Sequence, residues 1–133
     1  MMKYILLYAA LVPTFFAIDF IWLGTLAQKF YQNQIGHLLA SNFNIPAAIV
    51  FYLIFIVGIM IFAVLPGLEA QNWKTAWLWG ALFGFFTYAT YDLTNLATLR
   101  DWPYTVVMVD IVWGVILCST VATAGYFIGQ KIF

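Results

Sequence analysis

The chain has 133 residues, of which 65% are hydrophobic and 8% charged, with a formal net charge of zero. A water-soluble domain carries about 25% charged residues and must cover most of its surface with polar side chains, so this composition excludes a soluble fold and gives a single membrane domain over 1–133. Neutrality offers no attraction to nucleic acid or acidic lipid. The single cysteine, Cys118, excludes an internal disulfide and reads as a small buried hydrophobe.

Four stretches reach the roughly 20 apolar residues that a spanning helix needs. The first covers about 4–27. Lys3 ahead of it imitates the basic region of a signal peptide, but the apolar run continues past Asp19 and no small-x-small cleavage site precedes it, so a retained helix is expected. Pro13 is expected to bend it. The one long connection follows, "QKFYQNQIGHLLASNFN". Its Phe30, Tyr31, Ile35, Leu38 and Leu39 share one helical face, with Gln32, Asn33 and His37 elsewhere, which predicts a short helix along the membrane surface.

The second span, 46–66, opens on Pro46, where a first turn tolerates a missing N–H, and it carries no charge. The third covers about 75–98. Trp73, Trp77 and Trp79 gather at one end of it, and Trp102 with Tyr104 mark the opposite interface as an aromatic belt does. The fourth covers about 104–128, with Pro103 in its first turn and Asp101 placed as its N-cap. Tight loops make consecutive helices antiparallel neighbours. The expected fold is an all-α membrane protein, a four-transmembrane-helix bundle with a short interfacial helix in the first loop and both termini on one side. Lys3, Lys74 and Lys131 on the terminal side, against Lys29 and Arg100 across from it, place both termini in the cytoplasm by the excess of basic residues there.

Three acids lie inside these spans: Asp19, Asp92 and Asp110. At a rise of about 1.5 Å per residue, Asp19 lies about 12 Å before the far end of its helix, Asp92 about 9 Å before the end of the third and Asp110 about 9 Å into the fourth. All three reach one depth, in the leaflet away from the termini. Spacings of four and three put Tyr88, Asp92 and Asn95 on one face; Asp19 shares a face with Trp22, and Asp110 with Trp113 or Gly114. These faces should turn inward, because an acid facing lipid costs at least ~2.5–3.5 kcal/mol. "YDLTNLATLR" (91–100) is then one wall of a polar pocket, with Arg100 and His37 on the side where it would open. Arg100 and Asp101 are expected to pair locally.

Two carboxylates that approach closely in a low dielectric cannot both stay ionised, so a shared proton is expected. Asn95 or His37 could complete a metal site, but no helix carries a histidine and no ligand spacing is present, so none is expected. The same acids could instead serve only as interhelical hydrogen-bonding posts worth about 1 kcal/mol or less each. "DFIWLGTL" (19–26) also aligns without gaps with "DLTNLATL" (92–99), which would make the chain a parallel repeat of a two-helix hairpin.

"DFIWLG", "FYQNQIGHLLA", "YATYDLTNLATLRDWP" and "VDIVWG" resemble signature stretches of a family of small bacterial membrane proteins, a predicted membrane-protein domain of unknown function. The resemblance covers the chain from first helix to last. It implies a bacterial inner-membrane protein with four spans, and it points at Asp19, Trp22, Tyr91, Asp92, Asn95 and Asp110; it implies no reaction. Small multidrug exporters share four helices and an acid in the first, but this chain has three intramembrane acids and a longer first loop. The porphyrin-binding tryptophan-rich sensory proteins share the aromatic richness and have five spans.

The reading that follows is a small inner-membrane binding or transport protein. Its pocket, open on the side away from the termini, uses Asp19, Asp92 and Asp110 to hold a small cation, a proton or a lipid head group. Tyr88, Tyr91, Asn95, Trp22 and Trp113 shape it, and Arg100 stands at its mouth. Asp92 is assigned the principal charge, Asn95 a positioning role, and Asp110 with Asp19 the shared proton. Four helices make a thin wall for a conduit, so a homodimer or a partner membrane protein is expected within the lipid bilayer. The alternatives are an accessory or assembly subunit whose polar cluster is structural, and an intramembrane enzyme acting on a lipid. The enzyme is less favoured because no nucleophile–base pair is visible, and the sequence names no cofactor.

Overall fold

A computed structural model describes all 133 residues of the chain. Every regular element is helical. Helix α1 (Met2–Trp22) buries Leu7, Leu11, Phe15 and Asp19, positions four apart that lie on one face. Asp19 is therefore the last member of the stripe that points α1 into the bundle. The helix runs through Pro13 without interruption. A kink falls further on, at Thr25 (φ −110°, ψ −108°), inside a widened turn over Leu23–Ala27. The Thr25 hydroxyl donates to the carbonyls of Ile21 (2.8 Å) and Trp22 (3.1 Å), satisfying acceptors that the widened turn exposes.

Helix α2 (Gln28–Ile35) continues from that kink and ends in a tight turn over Gly36–Leu38. It occupies the place of the expected surface helix. Its apolar face, however, packs on protein: Ile35 is buried with Trp102, Val106 and Val107, and Phe30 and Tyr31 lie against the same cluster. Thr105 donates to Gln34 at 2.7 Å, fixing α2 over the start of the last helix.

Helix α3 (Ile45–Ile59) starts with Asn44 accepting from the Ala47 amide at 3.1 Å. It passes through a second widened turn, Met60–Val64, into α4 (Leu65–Glu69). Pro66 explains the widening: it has no N–H to donate and its ring crowds the carbonyl four residues back. Helix α5 (Trp73–Thr98) is capped by Asn72, which accepts from the Lys74 amide at 3.0 Å. Helix α6 (Tyr104–Ile132) has Pro103 at its N-cap. Asp101 makes no cap hydrogen bond there; it sits at a positive φ of 61° in the tight turn, and its carboxylate lies 3.9 Å from His37. The expected Arg100–Asp101 pair is thus replaced by one that joins the α2 end to the α5–α6 turn.

Three stretches are long and apolar enough to cross a membrane: Met2–Leu38, Ile45–Glu69 and Tyr104–Ile132. Four were expected. Helix α5 has 26 residues, so it falls short in apolarity and not in length; Lys74, Asp92, Asn95 and a series of threonines dilute it. The two termini lie together, with the Lys3 ammonium donating to the Phe133 carbonyl at 3.1 Å.

Helices α5 and α6 meet along a seam without side chains. Ala76, Gly80 and Gly84, four apart, are buried on α5. A Cβ on Gly80 would lie 2.6 Å from the Cys118 carbonyl oxygen, and one on Gly84 would overlap the carbonyl of Gly114. Small residues at this spacing let two helix backbones approach closely where lipid supplies no hydrophobic drive. Cys118 is free and fully buried in that seam, as its apolar setting suggests. Elsewhere large apolar side chains such as Phe20, Leu26, Ile54, Phe62 and Met108 are exposed, the surface a bilayer would cover.

Candidate functional site

Each acid prolongs the stripe that buries its helix. On α5 the positions Ala76, Gly80, Gly84 and Asp92 are buried, with Tyr88 between the last two at the same spacing. On α6 Asp110 and Gly114 are four apart and buried. Asp92 is 0% exposed, Asp19 5% and Asp110 6%, the only charged side chains the fold buries. No three His, Cys, Asp or Glu side chains gather closely enough to hold a metal ion.

Two of the acids come together. Asp110 is a neighbour of Asp92, and its Oδ1 accepts a hydrogen bond from the Tyr31 hydroxyl of α2. Asp92 has no such partner: both of its oxygens are buried without a hydrogen bond. The indole of Trp102 stands beside it, yet the Trp102 N–H completes no bond either. Asp19 stands apart. The Trp113 indole donates to it at 3.3 Å, and the Tyr52 hydroxyl of α3 lies next to it. The partner of Asp110 is therefore Asp92, not Asp19 as the sequence reading assigned.

The aromatic residues bind this arrangement together. Trp22 and Trp113 stack at 4.9 Å with planes 17° apart, linking the end of α1 to α6. The Trp22 N–H is buried and unpaired near the Tyr31 hydroxyl. Tyr88 packs its ring against Gly114 and lies within range of both Asp19 and Asp110. Tyr91 is exposed and meets Trp102 edge-on at 5.9 Å, with Asn95 one turn on and within reach of its hydroxyl. Arg100 is exposed in the turn after α5 and makes no ion pair, so it stands outside the cluster.

A pocket of about 700 Å³ opens between α3 and α5, walled by Phe51, Phe55, Phe86 and Tyr88, with Asp110 among its lining residues. It opens on the flank of the bundle, since Phe51, Phe86 and Tyr91 at its rim are exposed. The end away from the termini, where an opening was expected, is covered by α2. Thr87 and Thr90 also line the pocket, but their hydroxyls donate to their own helix, to the Phe83 carbonyl at 2.7 Å and the Phe86 carbonyl at 2.6 Å. Hydroxyls satisfied in this way let α5 carry threonines on an apolar flank.

Tyr31, Tyr52 and Trp102 are in the cluster, and the sequence reading did not select them. Trp102 was assigned to an interfacial belt; it is instead buried under α2. Tyr52 left a signal that was available, a lone hydroxyl in the middle of an otherwise uncharged apolar helix. Tyr31 lay on the apolar face already identified, where its hydroxyl gave no hint of a partner 79 residues away.

Helices with bilayer-length apolar runs, apolar side chains turned outward and acids turned inward define a multi-pass membrane protein. The chain belongs to the family described as "Predicted membrane protein (DUF2177)", a domain of unknown function, which matches residues 4–127. No curated protein and no solved structure matches it.

Proposed function

We propose that this chain is a four-span membrane protein that binds a proton or small cation between Asp92 and Asp110 and serves a binding or transport role. The observation that carries the proposal is Asp92: fully buried, beside a second acid, with neither oxygen hydrogen-bonded. A buried polar group without a partner is rare and costly, and two neighbouring carboxylates in a low dielectric cannot both stay ionised, which favours a proton or cation held between them. Ionisable groups at this depth are functional by default. Asp19, held by Trp113, and Tyr88, between the acids, would be the next station for the same cargo. Asn95 and Tyr91 would shape the rim, with Trp22 and Trp113 as a rigid wall.

The adjacent termini support α5 as a fourth crossing, because only an even number of spans returns a chain to the side it started from. The lysine distribution favours both termini in the cytoplasm, and the family resemblance suggests a bacterial inner membrane. Two copies side by side, or a partner subunit, would supply the wall that four helices lack. A second reading, an assembly subunit with a structural polar cluster, draws on the Tyr31–Asp110 and Trp113–Asp19 hydrogen bonds, which join distant elements as structural posts do. Infrared spectroscopy of the purified chain in nanodiscs separates the two. The proposal expects a protonated-carboxyl band at neutral pH that is lost when a binding cation is added, and that is missing in Asp92→Asn and Asp110→Asn. An identical carboxyl spectrum in wild type and both variants would sink it.

A further inference from the structure

We infer that the flank between α3 and α5 is the access route for a lipophilic primary amine, whose ammonium head reaches the Asp92–Asp110 pair while its tail lies in an apolar furrow open to the bilayer. The inference rests on the reading that this pair binds a cation, and it adds the class of cargo and the direction of approach. Three observations carry it. First, the pocket that reaches Asp110 shares Phe86 and Thr87 with a second pocket of about 430 Å³, lined by Phe62, Pro66, Trp79 and Leu82 among others. The two form one furrow along α5 from Tyr91 back to Trp79, about 18 Å long at the helical rise. That is the length of an alkyl chain, far more than a bare ion needs.

Second, the chemistry changes along the furrow. Its lining is mostly aromatic and aliphatic, with threonine and tyrosine along it, and the one charged residue among it is Asp110, with Asp92 fully buried and unpartnered beside that acid. A head that donates several hydrogen bonds and carries positive charge matches two carboxylates; a phosphate or sulfate head would meet like charge. An ammonium supplies three donors and no acceptor. Third, α2 lies over the end of the bundle above the acids, with Tyr31 bonded to Asp110, while the flank is bordered by exposed side chains of α3 and α5. The approach left open is sideways, from lipid.

The test measures retention of radiolabelled dodecylamine by nanodiscs of zwitterionic phospholipid that contain the full chain, less retention by empty ones. Butylamine and dodecanol serve as comparisons. Lateral access makes occupancy follow partitioning into the bilayer, so dodecylamine should bind at least about tenfold more tightly than butylamine, and the acid pair should prefer it at least about tenfold over dodecanol. Asp110→Asn should abolish the preference for amine over alcohol. Thr87→Trp, which fills the furrow midway and touches neither acid, should abolish the advantage of the long chain while butylamine binding persists. Equal binding of butylamine and dodecylamine overturns the inference and leaves the cation site standing, reached from water. Equal binding of dodecylamine and dodecanol, or no retention above empty nanodiscs, also overturns it. The carboxyl infrared band then decides separately whether the acid pair binds a cation at all.

Discussion

Replacing Asp92 with asparagine should make this protein more stable, not less. The side chain is fully buried, and neither oxygen receives a hydrogen bond, so there is no native bond to lose. An unsatisfied buried polar group costs about 1–3 kcal/mol, more when charged. Asparagine is nearly the same size, carries no charge, and offers an N–H₂ group to the neighbouring Asp110 carboxylate. A hydrogen bond to a charged acceptor contributes about 1.5–3 kcal/mol. Allowing for imperfect amide orientation, a net gain of about 1–3 kcal/mol is expected. For a chain of this size each kcal/mol moves the melting temperature by about 4 °C, so Asp92→Asn should melt about 4–12 °C above wild type at neutral pH. The assay is thermal unfolding of the purified proteins in one detergent, followed by intrinsic tryptophan fluorescence and by circular dichroism. A destabilisation of about 1 kcal/mol or more would refute the reasoning. It would mean that Asp92 holds the bundle together through bonds it makes in its natural setting, and that the second reading is the better one.

Trp113→Phe should act in the opposite sense: it removes the N–H that Asp19 accepts while keeping a ring to stack on Trp22, and the same melting assay should show a loss of about 1–2 kcal/mol. Gly84→Ala should force α5 and α6 apart, because the added methyl overlaps the Gly114 carbonyl; a loss of about 1–3 kcal/mol or more is expected, read as a lower melting temperature. Gly24→Ala is its control, since an added Cβ there meets nothing within 4 Å, and it should be neutral or slightly stabilising. Tyr31→Phe removes the one side-chain hydrogen bond from α2 to Asp110, worth about 1.5–3 kcal/mol as a bond to a charged group. Amide hydrogen exchange within 28–38 should then quicken by about tenfold or more, with the amides of α6 little changed.

The inward turn of the three acids was legible because sequence spacing fixes a helix face, and lipid penalises the alternative. Leu7, Leu11, Phe15 and Asp19 form a pattern that needs no structure to see. Which acid meets which was not legible. Rise per residue gives depth, but not which helices pack closely, and it is the close approach of α5 and α6 along their glycine seam that sets Asp92 rather than Asp19 beside Asp110. Gly80 and Gly84, four apart with Ala76 before them, were the available signal for that close approach. The burial of Trp102 depended on α2 folding back, a contact between distant segments; a tryptophan beside Arg100 and Asp101 otherwise looks interfacial. The stretch over 75–98 was expected to span from its length and aromatic flanks, whereas apolarity alone leaves α5 below the other three. Its threonines explain the difference, since each hydroxyl that bonds back to its own helix is less polar toward lipid than its residue type suggests.

The two sides of α5 are built by opposite means, and the candidate site follows from the contrast. Toward α6 the helix presents glycine and alanine, so the backbones close until carbonyls block any further side chain. Toward the second span its backbone packs closely on the Met60–Val64 turn and α4 but less closely on α3, which it meets through side chains such as Phe55 against Phe83 and Tyr88. Pro66 widens the turn just before it, which redirects α3 relative to α4, while Phe83 fills the space against Gly58 where α3 and α5 still meet. Beyond Phe83 the α5 side chains along the gap include the short Thr87 and Thr90, and Tyr88 reaches Phe55 of α3 only edge-on, with centroids 6.3 Å apart, so a pocket remains. Bulk at one end and its absence at the other would splay two helices even if neither carried an acid. Asp110 lines the open end of that gap, while Asp92, which continues the glycine stripe toward α6, stays fully buried behind it, so the pair meets the bilayer side through Asp110 alone.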